Sequence, residues 1–280
     1  TIAAGSSFDI ATELNSSGTI INNGELRLRS PQEINFGNYS GTGNLYVNGG
    51  TVTNASVGNL IVESGILTVS DTLSTANCTV KTGATVSLGT TGKLNSTGDF
   101  TLESGAELSG FNGSVVTVDG HAVLAGNYTV SDNSRFFANN GLELDGNKEF
   151  GNLEVSGDIT ASSPAVLRFY RTFNHKSGTV SSNVLFNNWS NNTSSFFAVD
   201  GEQYDLQIVK SNSGAKITFE NNIYINTLGV HYSNNGPISF NGNVTNIPSS
   251  FKNITNGTTT QSMTIGPVTI SGNVFNNTGV

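Results

Sequence analysis

The chain has 280 residues, and 137 of them are Ser, Thr, Asn or Gly, whereas only 11% are charged. Leu, Ile, Val and Phe still supply 75 residues, which is more than the roughly 20% below which chains tend to be disordered. The net charge of −8 and the isoelectric point of 4.8 argue against a groove for nucleic acid, because phosphate binding requires clustered Lys and Arg. This composition is typical of a folded extracellular structural protein, not of a cytosolic enzyme.

Short runs of alternating apolar and polar residues recur along the chain and predict β-strands. In the first half they take the form apolar-x-apolar followed by Gly, at Leu60–Gly65, Cys78–Gly83, Phe100–Gly105 and Val116–Gly120. The glycines that end these runs follow one another at similar but unequal intervals. One turn of a β-solenoid uses about 20 residues in three short strands, so these intervals predict one such run per turn.

No sustained helical pattern of apolar residues interrupts the strand pattern. We therefore expect an all-β chain that folds as an elongated parallel β-helix, also called a β-solenoid. The alternative is a pair of tandem β-sandwiches, in which the same repeats form hairpins.

Cys78 is the single cysteine, so the chain forms no internal disulfide. It lies in an alternating run and is expected to be a small buried side chain, not a reactive thiol. No apolar run approaches the roughly 18 residues of a membrane span, and no transmembrane segment is expected. The sequence opens Thr1-Ile2-Ala3 without Met or a signal-peptide pattern, which we interpret as a processed form or an excerpt.

Aromatic residues become frequent after Pro164. They are Phe169, Tyr170, Phe173, Phe186, Trp189, Phe196, Phe197 and Tyr204. We predict a regular β-solenoid over residues 1–163 and a more irregular, aromatic-rich β region over residues 164–280, which continue as one domain or form two. The aromatic side chains are expected to fill a wider core; the alternative is an exposed patch for binding or assembly.

A second repeat lies near the C-terminus. Gly236–Val244 and Gly266–Val274 match position for position, and Ile217–Ile223 is a looser third copy. The match predicts that these segments occupy equivalent positions in successive turns.

The sequence predicts no catalytic, cofactor-binding or metal site, no cofactor and no enzyme activity. The densest acidic group, Asp200, Glu202 and Asp205, lacks the full alternation of ligands of a calcium loop and is expected to be a solvated turn. His121, His175 and His231 are far apart and have no metal-ligand spacing. No nucleophile elbow or phosphate loop is present either. The alternative is a polysaccharide-active β-helix enzyme, a lyase or hydrolase that uses this acidic group.

Ice binding is a third class that we considered. An ice-binding face requires a Thr-x-Thr triplet at the same place in every turn. Thr51-Val52-Thr53 is one such triplet in the first half, and it does not recur. The sequence therefore disfavours this class.

Asn-x-Ser/Thr sequons occur 14 times, where composition alone gives about 9. Either these Asn side chains form ladders and turn caps, or several carry glycans on exposed corners. Asn77 is disfavoured because Cys78, next to it, is expected to be buried. The candidate glycosylation sites are Asn15, Asn38, Asn54, Asn95, Asn112, Asn127, Asn188, Asn191, Asn253, Asn256 and Asn276.

The segments Gly18–Leu26, Asn48–Asn54 and Phe150–Val155 resemble the repetitive surface proteins of bacteria, namely the β-helical passengers of autotransporters and filamentous-haemagglutinin-type adhesins. The resemblance runs in patches over most of the chain. It implies a right-handed parallel β-helix and an adhesive or structural role on the cell surface.

Both ends of the chain carry little charge, since Thr1–Ile10 contains only Asp9 and Val268–Val280 contains none. Charge normally prevents strand edges from pairing. We therefore expect a non-enzymatic extracellular protein that associates with copies of itself, head to tail or by strand exchange, as a filament, a sheath or an adhesin stalk. Glycans or a cell surface are further expected partners, and nucleic acid is not. The alternative is that the sequence is part of a longer adhesin whose flanks cap both ends.

Overall fold

The computed structural model describes residues 1–29, 33–209, 214–230, 237–245, 268–270 and 274–275. These residues form 30 β-strands and contain no helix. Every strand pairing among them is parallel. The prediction of a β-solenoid is therefore confirmed. The alternative of tandem β-sandwiches is wrong, because hairpins pair antiparallel.

The chain divides into two compact units, Thr1–Asp145 and Gly146–Val280. The strands of the first unit are β1 (Ser7–Ile10), β2 (Leu14–Asn15), β3 (Thr19–Ile21), β4 (Glu25–Leu28), β5 (Glu33–Asn35), β6 (Asn38–Ser40), β7 (Asn44–Val47), β8 (Gly50–Val62), β9 (Gly65–Val80), β10 (Ala84–Leu88), β11 (Lys93–Ser96), β12 (Phe100–Leu102), β13 (Glu107–Gly110), β14 (Val115–Val118), β15 (Ala122–Leu124), β16 (Asn127–Val130), β17 (Arg135–Ala138) and β18 (Leu142–Leu144).

Each turn of the first unit contributes one strand segment to each of three stacks. The A stack contains β1, β4, β7, the ends of β8 and β9, β12, β15 and β18. The B stack contains β2, β5, the starts of β8 and β9, β10, β13 and β16. The C stack contains β3 and β6, then the middles of β8 and β9, β11, β14 and β17.

Alternation along each strand turns one set of apolar side chains inward, where equivalent positions of successive turns lie in register. In the A stack this ladder consists of Ile10, Leu28, Val47, Val62, Val80, Leu102, Leu124 and Leu144. Each turn therefore takes about 20 residues, as the sequence predicts. Gly65, Gly83 and Gly105 have positive φ angles at the corner after the A stack.

One run that we aligned from the sequence is assigned to the wrong stack. Val116 and Val118 pair with Leu94 and Ser96 in the C stack, whereas the A-stack position equivalent to Leu102 is Leu124. The error arises because strands of different stacks share the same apolar alternation. The spacing between strands within one turn is therefore easily mistaken for the spacing between turns.

The strands of the second unit are β19 (Lys148–Ser156), β20 (Ile159–Ala161), β21 (Ala165–Ser177), β22 (Val184–Trp189), β23 (Ser194–Phe197), β24 (Gln203–Val209), β25 (Ile217–Phe219), β26 (Ile223–Val230), β27 (Ile238–Phe240), β28 (Val244–Thr245), β29 (Val268–Ile270) and β30 (Val274–Phe275). Pro164 lies between β20 and β21, inside this unit. The predicted change of character between residues 163 and 164 stays a prediction.

An aromatic ladder runs through the second unit. We use this name for Leu153, Phe173, Phe196, Phe219 and Phe240, which pair in register on successive turns. All five side chains are buried. Phe169, Phe186 and Tyr204 are buried too and have ring contacts with this ladder. The expectation that these side chains fill the core is confirmed for them.

The C-terminal repeat also occupies equivalent positions. Ile238 pairs with Val268 and Phe240 pairs with Ile270, which is the alignment that the sequence match predicts. Ile217 pairs with Ile238, so the looser third copy is the preceding turn of the same stack.

Candidate functional site

An amide ladder follows one corner of the A stack. We use this name for Asn44, Asn59, Asn77, Asp99 and His121, one residue from each of five successive turns. Asn59 Nδ2 donates to Asn44 Oδ1 at 3.2 Å, and Asn77 Nδ2 donates to Asn59 Oδ1 at 2.9 Å. The backbone N–H of Asp99 donates to Asn77 Oδ1 at 2.8 Å, and that of His121 donates to Asp99 Oδ1 at 2.9 Å. The ladder joins successive turns by side-chain hydrogen bonds.

Charged side chains of the A stack also connect different turns. Arg27 forms ion pairs with Glu25 and with Glu63, and its guanidinium lies 3.7 Å from the ring centre of Tyr46. Lys81 forms an ion pair with Glu103 on the next turn at 2.5 Å. The Lys81 ammonium holds the pKa of Glu103 below its usual range.

The acidic group predicted to be a solvated turn is bonded to neighbouring turns of the second unit. Asp200 Oδ1 accepts from Asn222 Nδ2 at 3.4 Å, and Glu202 Oε2 accepts from the backbone N–H of Val180 at 3.1 Å. Asp205 Oδ1 accepts from Asn226 Nδ2 at 2.9 Å and from Thr227 Oγ1 at 2.6 Å.

Glu202 and Asp205 line the same cleft, which has a volume of about 250 Å³. Ser181, Ser182 and Asn226 line it as well. The structure thus brings two of the three predicted carboxylates to one surface depression. Both carboxylates accept hydrogen bonds there.

His175 is the buried histidine, with 2% of its surface exposed. Its Nδ1 lies 2.9 Å from the Tyr204 hydroxyl, and its Nε2 lies 3.1 Å from the Gly157 carbonyl oxygen. Because a carbonyl only accepts, Nε2 carries the proton, and Nδ1 accepts from the Tyr204 hydroxyl. That hydroxyl oxygen accepts in turn from the backbone N–H of Val199 at 2.8 Å.

These contacts define the electrostatic state of His175. Burial lowers the pKa of the ring, and this effect is only partly opposed by hydrogen bonds with the backbone of Gly157 and Ser177 and by the nearby carboxylates of Glu202 and Asp158. The neutral ring satisfies all its hydrogen bonds within the unit, so its geometry is that of a structural histidine. His121 is half-exposed in the amide ladder, and His231 lies outside the described residues.

Cys78 is buried between Leu60 and Phe100 in the A stack. Burial raises the pKa of its thiol to about 12. The expectation of a small buried side chain is confirmed, and the thiol carries no nucleophilic chemistry in the folded chain.

The candidate glycosylation sites differ in exposure. Asn95 is half-exposed, and Asn253, Asn256 and Asn276 lie outside the described residues. The exposed candidates are Asn15, Asn38, Asn54, Asn112, Asn127 and Asn191.

Asn188 does not fit the prediction of a glycan. It is 1% exposed, and its Nδ2 donates to the Phe169 carbonyl at 2.9 Å and to Ser194 Oγ at 3.1 Å. The sequence predicts that the buried positions of this strand hold apolar side chains. Asn188 takes one of the buried positions instead, which the alternation does not reveal. Asn77 is exposed, in contrast to the sequence argument, but both ends of its amide are used in the amide ladder.

Thr51 belongs to a row of hydroxyl-bearing residues, one from each of five successive turns, that no local motif in the sequence reveals. We call this row the rank. The rank crosses the outer side of the B stack and consists of Thr51, Thr68, Ser87, Ser109 and Thr129. The neighbouring outward-facing row, two residues earlier along each strand, contains Ile66, Thr85, Glu107 and Asn127. These side chains are apolar, hydroxyl, acidic and amide in turn, so they do not form a second row of hydroxyls. A regular two-rank array is therefore not formed at this face.

The first turn of the first unit borders an open, mainly apolar cavity of about 290 Å³. Its lining includes Ile2, Phe8, Ile10, Leu14 and Ile20. Among the described residues, β1, β2 and β3 each have a strand partner on one side only. Phe8 is 56% exposed.

No group of three or more His, Cys, Asp or Glu side chains is placed to hold a metal ion in the described part of the chain. No helix long and apolar enough to cross a membrane occurs in those residues. The chain matches no protein-family model, no curated protein and no solved structure.

Proposed function

We propose that this chain is a non-enzymatic structural protein of the cell exterior, which associates with copies of itself as the subunit of a filament or sheath. The structural role is inferred from polar side chains that contact neighbouring turns. The amide ladder, the Lys81–Glu103 pair and the acidic group of the second unit all form hydrogen bonds or ion pairs from one turn to another. Such side chains stabilise a stack of turns.

The first turn supports self-association. It combines an apolar cavity, three strands paired on one side and the exposed Phe8 ring. Asp9, the one charged residue of Thr1–Ile10, forms an ion pair with Arg29 at 2.9 Å. Strand edges that lack charge and Pro readily accept another strand. A strand or a whole turn of a second copy would cover the cavity and complete the three pairings.

A matched pair of charge substitutions tests this proposal. Phe8 and Ile66 are exposed to almost the same degree, 56% and 59%, but Phe8 lines the cavity whereas Ile66 lies on the outer side of the B stack. We expect Phe8→Glu to raise the concentration at which half of the chains associate by at least about tenfold, because burying a carboxylate is costly. Ile66→Glu is expected to leave that concentration unchanged. Sedimentation velocity over a concentration series measures both, and equal effects would contradict the proposal.

The location outside the cell and a role as an adhesin stalk rest on composition and on the resemblance to bacterial surface proteins. Glycans on the exposed sequons would agree with this location. Intact-mass measurement of native material checks it, since each glycan adds mass to the chain.

A polysaccharide-active enzyme is the second candidate, because Glu202 and Asp205 line one cleft. Paired carboxylates are the groups that glycoside hydrolysis uses. We expect no turnover of pectin, alginate or glycosaminoglycans. Turnover that is lost in both Glu202→Gln and Asp205→Asn would favour the enzyme instead.

A further inference from the structure

A chain of hydrogen bonds crosses three successive turns in the core of the second unit. It begins at the backbone N–H of Val199, runs through the Tyr204 hydroxyl and the His175 ring, and ends at the Gly157 carbonyl. Both side chains are buried. Since a backbone N–H only donates and a carbonyl only accepts, every hydrogen in the chain has a fixed direction. The chain therefore requires that His175 Nδ1 be unprotonated.

The Val199 end of this chain lies in a short corner between β23 and β24. We call Val199–Glu202 the 199–202 turn. It is closed by a hydrogen bond of 3.2 Å from the Glu202 N–H to the Val199 carbonyl, and Gly201 within it has a φ angle of 85°. Before the turn, the Asn221 side chain bonds to both the N–H and the carbonyl of Ala198. After the turn, β24 begins and pairs with β26. The turn is thus a short segment between two fixed ends.

Side-chain contacts of two kinds hold the 199–202 turn in place. On the outer side, the carboxylates of Glu202 and Asp200 accept hydrogen bonds from neighbouring turns at 3.1 and 3.4 Å. Asp200 is exposed and Glu202 is half-exposed, so water can replace these bonds. On the inner side, the Val199 N–H donates to the Tyr204 hydroxyl at 2.8 Å. This buried contact is the one that depends on the protonation of His175.

A proton on Nδ1 reverses the middle of this chain. The His175 ring then donates at both nitrogens, so the hydroxyl hydrogen of Tyr204 loses its acceptor. The hydroxyl oxygen at the same time meets two donors, the Val199 N–H and Nδ1–H. A buried donor without a partner is unfavourable. Displacement of the 199–202 turn admits water, which accepts from the hydroxyl and hydrates the charged ring. Protonation of the ring and opening of the turn therefore favour each other.

Charged side chains of the neighbouring turns face the His175 ring. They are Asp158 on the preceding turn and Glu202 on the following turn, while Lys176, the next residue of β21, forms an ion pair with Glu154. Burial lowers the pKa of the ring, and hydrogen bonds with backbone groups and these two carboxylates oppose that effect only in part. Both carboxylates already accept from backbone N–H groups, and neither accepts from the tyrosine hydroxyl. They provide that hydroxyl with no substitute for Nδ1.

We propose that His175 is an acid-sensitive switch, which releases the 199–202 turn while the strands of the second unit stay paired. Release exposes the Tyr204 ring, which lies 5.3 Å from that of Phe186 and 5.2 Å from that of Phe196. Acid therefore uncovers an aromatic surface on this side of the unit. Gly201 lines the cleft of about 250 Å³, so the same step changes the shape of that cleft. None of these residues lines the cavity of the first turn, so the switch is independent of self-association.

Amide hydrogen exchange of the intact ¹⁵N-labelled chain, measured in steps from pH 7.5 to 5.5 and corrected for the intrinsic rate at each pH, tests the switch. The amides of Val199, Glu202 and Val180 bond to or within the turn. We expect their protection to fall at least about tenfold at the lower pH, over the range in which the His175 ring signals shift. Ala198 and β23 are expected to keep theirs. Unchanged protection at the turn, or an equal loss throughout the second unit, would overturn the proposal.

A matched pair of amide substitutions separates the histidine from the carboxylate next to it. His175→Gln does not take up the proton, so the protection of its turn is expected to differ less than about twofold between the two pH values. Glu202→Gln keeps an oxygen that accepts from the Val180 N–H, and it is expected to respond to acid as the parent does. Its midpoint is expected at lower pH, because one carboxylate that favours the charged ring is lost.

A third variant tests the switch even if His175→Gln does not fold. Tyr204→Phe removes the hydroxyl that binds the Val199 N–H, so this amide is expected to be weakly protected at both pH values. Thermal unfolding checks that each chain is folded. An acid response that is kept in His175→Gln or in Tyr204→Phe, or lost in Glu202→Gln, would assign the effect to other groups and overturn the proposal.

Discussion

The two units apply the same solenoid pattern to cores of different composition. In the first unit, the inward ladder of the A stack consists of Ile, Leu and Val, and few aromatic rings are buried. In the second unit, Phe173, Phe196, Phe219 and Phe240 take the inward positions of successive turns. Either set of side chains must fill the interior to the packing density of a protein core. The same backbone pattern therefore accepts aliphatic or aromatic layers.

Phe196→Ala tests this contrast most strongly. The ring contacts those of Phe169, Phe173, Phe186 and Phe219 at centroid distances of 4.8 to 5.9 Å. We expect the free energy of unfolding to fall by about 3–5 kcal/mol, because the surrounding rings collapse only partly around the cavity that is left. Urea unfolding followed by near-ultraviolet circular dichroism measures it. Phe111→Ala, at an exposed ring, is the control and is expected to cost less than about 0.5 kcal/mol. Equal costs would refute the role of the aromatic core.

Thiol labelling examines the first unit separately. The pKa of Cys78, raised to about 12, leaves almost no thiolate at pH 8, and the side chain is buried. We expect the native chain to react with iodoacetamide at least about 10³-fold more slowly than the chain in denaturant. Mass spectrometry follows the reaction. Rapid labelling under native conditions would contradict this and show that the first unit opens readily around Cys78.

Acid is expected to weaken the second unit through His175. Burial lowers the pKa of this ring in the folded chain, so below about pH 6.5 the unfolded chain takes up a proton that the folded chain does not. The stabilisation is present above that pH and is lost as the pH falls toward the folded pKa. We expect the urea midpoint of the parent chain to decrease between pH 7.5 and 5.

Two variants isolate this effect from the titration of carboxylates. His175→Gln lowers the midpoint at pH 7.5 but is expected to lose less on acidification than the parent chain. His121→Gln, at the half-exposed residue of the amide ladder, applies the same substitution to a histidine of the first unit and is the control. A His175→Gln chain as acid-sensitive as the parent would contradict the assignment.

The smallest expected effect concerns the Lys81–Glu103 ion pair. Both side chains are partly exposed, so Glu103→Gln is expected to cost about 0.2–1 kcal/mol, and less in high salt. Glu107→Gln, at a half-exposed residue for which no ion pair is described, is the control. A large loss that salt does not reduce would mean that the pair is more than a surface contact.

The fold class follows from local signals in the sequence. Alternation marks the strands, and the recurrence of runs such as Leu60–Gly65 and Cys78–Gly83 marks the turns. The register between turns cannot be predicted from these local signals, because all three stacks have the same alternation. The run at Val116, which the sequence assigns to the wrong stack, shows this. The alignment of the C-terminal repeat is predicted correctly, because the two segments keep the same order of Gly, Pro and apolar positions and so fit equivalent places in the stack.

The site features depend on the register between turns, so the sequence alone does not predict them. The hydroxyl rank that includes Thr51 joins residues of different turns that share no local motif. The missing pairing between β6 and β8 depends on a single short turn, which is visible only once Val47 and Val62 are known to be equivalent. Asn188 resembles an exposed sequon in the sequence, but tertiary contacts place it inside.

Electron microscopy of the intact chain over a range of concentrations tests the central claim of self-association most directly. The account predicts filaments or short stacks that grow with concentration and disappear in Phe8→Glu, while Ile66→Glu assembles like the parent chain. Dispersed single particles at every concentration, identical for the three chains, would contradict it.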